Sequence, residues 1–132
     1  EIHWRDWSSD VCSSDLLVLS YTIAGVAKLG DPAWRRGSAL AVVVALPQYR
    51  VPARARAALR RPWVSAALGA AMLAFECAFP LALTGPRACR ALLAIAGAFH
   101  LANAGLFGLS RFLWAWLACY PALVYWADRV GG

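Results

Sequence analysis

Residues 91–121, ALLAIAGAFHLANAGLFGLSRFLWAWLACYP, constrain the fold more than any other stretch of the chain. The run is alanine, leucine, glycine and aromatic almost throughout, yet it carries His100 and Asn103. Residues three apart share one face of a helix. In hydrocarbon, ionisable and amide side chains are costly, and they face protein, water or a ligand. A second apolar stretch, residues 63–84, has the roughly 20 residues that cross a bilayer, with Glu76 as its one charge. At 61% hydrophobic and 15% charged residues, the 132-residue chain has too little polar surface for a soluble domain. The expected class is all-α: a polytopic integral membrane helical bundle, multi-pass in the plasma membrane.

About four membrane segments are expected, with one short re-entrant or interfacial helix. Residues 16–29, LLVLSYTIAGVAKL, read as the end of a membrane helix closed by Gly30-Asp31-Pro32. Residues 33–47 hold an apolar core too short to cross, preceded by Trp34, Arg35 and Arg36 at headgroup level. Residues 50–62 are a basic connection with five arginines. Residues 63–84, 91–109 and 112–127 are three further segments. Pro80 lies one turn after Glu76 and frees the Glu76 backbone carbonyl. The tight turn at Gly85-Pro86-Arg87 sets the helices on either side of it antiparallel.

The first 15 residues, EIHWRDWSSDVCSSD, differ in kind. They are polar and repeat Ser-Ser-Asp. WRDWSSDVCSSDL resembles a translated sequencing-adapter read, so residues 1–15 are expected to be a non-native leader. Residues 16–129 are then an N-terminally truncated transmembrane domain. Beyond the leader the chain has 12 basic and 3 acidic residues. That excess fits cytoplasmic loops and contact with the lipid bilayer. Nucleic acid is not an expected partner, because the arginines cap apolar segments. If residues 50–61 are cytoplasmic, six arginines lie on that side and three opposite, leaving out Arg35 and Arg36. The four cysteines have no metal-ligand spacing, and no metal site is expected.

Four polar groups lie inside the apolar segments: Lys28, Glu76, His100 and Asn103. Counted from the turn at Pro86, Glu76 and His100 are offset by about one helical turn, so a Glu76–His100 contact is within reach. Glu76 either holds helices together or relays protons and orients His100. His100 either bonds a neighbouring helix or handles protons and ligand. Lys28 either snorkels at its helix end or acts as a base in apolar surroundings. Asn103 is packing glue or a substrate contact.

Residues 20–36, SYTIAGVAKLGDPAWRR, resemble the AG-x-x-KL…W signature of the HTTM family, the horizontally transferred transmembrane proteins related to vitamin K-dependent gamma-carboxylase. Residues 99–121, FHLANAGLFGLSRFLWAWLACYP, resemble that family's FH-x-x-(N)-x-x-LF segment, and Glu76 falls where the family also carries an acid. The resemblance implies a reduced quinone, such as vitamin K hydroquinone, as the molecule bound. It also implies that Lys28 is the base that deprotonates it, with His100 as the histidine of the FH motif. The carboxylase has two adjacent lysines where this chain has Ala27-Lys28. The rival expectations are non-enzymatic: a membrane scaffold, or an immunity or partner-binding protein whose Glu76, His100 and Asn103 only lock helices. A redox-associated membrane protein of the DoxX or MauE type would instead need reactive chemistry at Cys77 or Cys119.

Overall fold

Proline and glycine set most of the helix boundaries. The computed structural model describes residues 4–49 and 51–130, with side chains from Ser14 to Arg129. Every regular element among the described residues is helical. Helix α1 runs Trp4–Gly30, and Asp31 opens α2, Pro32–Arg35, where its carboxylate accepts the Ala33 N–H at 2.7 Å. Helix α3 is Ala39–Val43, and α4 is Ala53–Leu59. Pro62 begins α5, Pro62–Ala78, at the position where a missing N–H costs nothing. A 3-10 segment, Phe79–Thr84, leads through Gly85 into α6, Pro86–Phe107. Gly108, left-handed at φ +73°, closes α6 by donating its N–H to Ala104, and α7 spans Ser110–Val130.

Several sequence expectations change here. The leader lacks a hydrophobic period, yet the backbone of residues 4–15 continues α1 without a break. It has no proline or glycine to stop the helix. The side chain of Cys12 and all of Arg50 lie outside the described residues. Residues 33–47 form two short helices, not one, because Gly37 turns the chain at φ +72°. A Cβ there would stand 2.5 Å from the Ala66 Cβ, so the α2–α3 turn lies directly on α5. Ser65 fixes that contact: its hydroxyl donates to the Gly37 carbonyl at 2.6 Å and accepts the Ala41 N–H at 3.3 Å. Pro80 does not leave the Glu76 carbonyl free. The helix tightens to 3-10 geometry, and the Phe79 N–H takes that carbonyl.

Among the described residues two stretches are long and apolar enough to cross a membrane, Pro62–Thr84 and Pro86–Phe107, fewer than the four expected. Helices α1 and α7 have the length, at 27 and 21 residues. The first spends it on a polar opening half, the second on tryptophan, tyrosine and terminal charge.

Neighbouring helices run in the order α5, α1, α7, α6. The 3-10 segment, rather than α5, lies against α6. Between α5 and α6 close backbone approaches are few at most, although they flank the same turn. The main core joins Leu17, Tyr21, Phe75, Phe79, Leu93 and Leu123. A smaller cluster, Val44, Val51 and Leu59, packs with Phe107 and ties α3 and α4 to the end of α6.

Candidate functional site: two polar pairs on one face of α1

Tyr21, Gly25 and Lys28 stand at i, i+4 and i+7 of α1, on one stripe. The opposite stripe, Leu16, Leu19, Ile23 and Val26, is exposed. Each polar residue on the inner stripe has a partner on a different helix.

Lys28 bonds Glu76 of α5. Its Nζ donates to both carboxylate oxygens at 2.7 Å. The Glu76 side chain is 4% exposed and that of Lys28 22%. The Trp34 ring lies beneath the ammonium, with its centroid 5.4 Å from Nζ. A charge-assisted bidentate contact of this length belongs among the stronger hydrogen bonds, and cation–π attraction adds to it. Gly25 makes the approach possible. A Cβ on it would lie 2.9 Å from the Cys77 sulfur and 3.1 Å from both the Cys77 nitrogen and the Glu76 Cβ. Only a residue without a side chain lets α5 come this near.

His100 bonds Tyr21. The tyrosine hydroxyl and Nε2 are 2.7 Å apart. The imidazole stacks on Trp116 of α7 at 5.3 Å and 16°, and Phe99 meets its other side edge-on at 5.1 Å. The Tyr21 ring lies 4.1 Å from Phe79 and 5.0 Å from Trp116. A fifth polar group, the Tyr120 hydroxyl, is buried without a well-formed hydrogen bond. It is close enough to the Tyr21 hydroxyl to interact with it.

The anticipated Glu76–His100 contact is replaced by these two pairs. Glu76 turns to α1 because α5 packs on α1, while α6 packs on the 3-10 segment and α7. Lys28 and Tyr21 are seven residues apart, roughly 10 Å along the helix, so one face of α1 serves both. Asn103 does not join them. It lines an apolar cleft of about 350 Å³ between α5 and α6, with Leu59, Phe75, Ile95, Phe99 and Phe107 among the walls. The 60° between positions i and i+3 is enough to send His100 into the core and Asn103 into the cleft.

Tyr21 was not singled out in the sequence, and Trp34 was read as a headgroup-level anchor rather than as a neighbour of Lys28. Tyr21 had one available signal, its seven-residue spacing from Lys28. Among the described side chains three cysteines are free: Cys77 is exposed, Cys89 is buried and donates to the Leu123 carbonyl at 3.7 Å, and Cys119 donates to the Ala115 carbonyl. Among the described residues no three His, Cys, Asp or Glu side chains cluster as metal ligands would.

Chemically, the Lys28–Glu76 pair can hold or pass a proton between two groups, one shielded and one partly open. No protein-family model, curated protein or solved structure matches the chain.

Proposed function

We propose that this chain is a multi-pass membrane protein of the plasma membrane, of HTTM type, in which Lys28 and Glu76 form a proton-handling centre for a reduced quinone. The membrane part is supported by the outer surface. Large apolar side chains are exposed on every long helix, from Leu16, Leu19, Ile23 and Val26 on α1 to Trp63, Ile95 and Trp114 on the others. Water-soluble monomers rarely expose apolar patches larger than a few hundred Å². In the two apolar stretches only 22% and 17% of the most hydrophobic window is buried, which is unlike the core helix of a soluble protein. Extraction resistance in sodium carbonate tests this part alone.

The observation that carries the chemistry is the bidentate 2.7 Å pair with one member open to its surroundings. Transfer of one proton from Nζ to the carboxylate leaves a neutral amine beside a carboxylic acid. Lys28 is then a base at the reachable position, and Glu76 is where its proton has gone. A hydroquinone supplies an acidic hydroxyl for such a base and, with oxygen, the redox chemistry. The test is oxidation of vitamin K hydroquinone by the purified protein, with product mass spectrometry, for wild type, Lys28→Ala and Lys28→Arg. An epoxide lost in both variants supports the reading. Absence of turnover in folded wild-type protein across a panel of quinones overturns it.

A second reading has its own support. Glu76 and His100 each have a partner inside the protein, and Gly25 brings α1 and α5 together at that point. In that reading the pairs are clasps of a non-enzymatic scaffold or partner-binding protein, and Lys28 variants change stability without changing any turnover.

A further inference from the structure

Neither polar pair lines the cleft between α5 and α6, although Phe75 and Phe99 in its wall pack on Tyr21 and His100, and its two ends differ. Towards the middle of the bundle its walls are Phe75 and Ile95; at the other end they are Leu59 and Phe107. That second end abuts the most basic part of the molecule. Arg35 and Arg36 join Arg54, Arg56, Arg60 and Arg61 there, because the α2–α3 turn lies on the start of α5. Arg111 follows Phe107 across the Gly108 turn. Asp31 is the one acid at this end among the described residues, and its carboxylate is engaged as the α2 cap.

Two polar groups, Asn103 in the cleft wall and Arg56 on the helix turn beside Leu59, have unused bonding capacity. Arg56 shares the α4 face of Leu59, three residues away. One of its terminal nitrogens donates to the Val51 carbonyl at 3.4 Å, while Nε is buried with no partner. The Asn103 side chain, one turn before Phe107, makes no hydrogen bond within the described residues. From the basic end inward the order is therefore guanidinium beside the cleft mouth, then the Asn103 amide in its wall, then hydrocarbon. An anionic glycerophospholipid has its groups in the matching order: phosphate, ester carbonyl, acyl chain. Basic pockets between membrane helices are suited to such headgroups, and about 350 Å³ falls in the size range of small-ligand sites.

We propose that the α5–α6 cleft binds one anionic glycerophospholipid, an acyl chain between the helices and the phosphate at Arg56 and Arg60. The site rests on the membrane reading and is independent of any chemistry at Lys28. Carbonate extraction tests the membrane reading before lipid is added, so the two can fail separately.

The test is native mass spectrometry of the full chain in detergent, delipidated and then given dioleoyl phosphatidylglycerol or dioleoyl phosphatidylcholine. Wild type should take one phosphatidylglycerol with a preference of about tenfold or more over phosphatidylcholine, as two arginines at a membrane surface supply. Ala71→Phe fills the cleft from an exposed position and should abolish the adduct. If that variant does not fold by circular dichroism, Ala98→Phe on the facing helix, also exposed, replaces it. Arg56→Gln with Arg60→Gln should keep lipid binding but lose most of the preference. Equal uptake of the two lipids by wild type overturns the proposal, as does a phosphatidylglycerol adduct that persists in the folded cleft-filled variant.

Discussion

Removing Lys28 should harm the protein more than removing Lys28 and Glu76 together. In Lys28→Met the Glu76 carboxylate stays 4% exposed on a helix that α1 still covers, but both its hydrogen bonds are gone. Breaking a buried pair from one side costs about 3–5 kcal/mol. The 22% exposure of Lys28 lets some water reach the carboxylate, so we expect a loss of about 3 kcal/mol. Glu76→Met leaves an ammonium that can turn outward on its flexible stem, and about 1–2 kcal/mol is expected for it from lost charge-assisted bonds. The double variant has no buried charge and two apolar chains of similar volume, so it should lie within about 1 kcal/mol of wild type. The assay is equilibrium unfolding of all four proteins in mixed detergent micelles with increasing dodecyl sulfate, read by circular dichroism. Additive single losses, within about 0.5 kcal/mol in the double variant, would refute the reasoning. They would mean that the 2.7 Å contact has no energetic consequence.

Gly25→Ala places a methyl 2.9–3.1 Å from Cys77 and Glu76, and should cost about 1–3 kcal/mol by overpacking in the same unfolding assay. Tyr21→Phe removes the partner of a buried imidazole nitrogen. A loss of about 1–3 kcal/mol is expected, with a change in the His100 nitrogen chemical shifts that a purely steric effect would not give. Arg90→Ala breaks a 2.8 Å bond to Asp128 whose members are 62% and 46% exposed; less than about 1 kcal/mol should be lost.

Much of the fold was legible because the chain punctuates itself. Pro62, Pro86 and Gly108 start or stop helices by covalent geometry alone, independent of what packs nearby. The all-helical class follows from the length of the apolar runs. The unread parts depended on tertiary contact. The division of 33–47 into α2 and α3 turns on Gly37 meeting Ala66, 29 residues further along the chain. Glu76 was paired with His100 by counting residues from Pro86, an argument that assumes two helices lying side by side. The 3-10 segment takes the place of α5 beside α6, and that displacement sends Glu76 to Lys28. Tyr21 was overlooked because a tyrosine in an apolar run reads as hydrophobic filling; only its distance from His100 gives its hydroxyl a task. Asn103 was placed beside His100 by periodicity, which fixes a helix face to about 60° and no better.

The α1 stripe also has a mechanical consequence. Helix α1 grips both helices that flank the Gly85 turn, α5 through Lys28 and α6 through Tyr21. It works as a tie-bar across the open side of the bundle. Spreading the two helices must stretch one of two 2.7 Å bonds. The width of the α5–α6 gap is therefore coupled through α1 to the two polar pairs, and whatever wedges the helices apart loads the Lys28–Glu76 contact, the Tyr21–His100 contact or both.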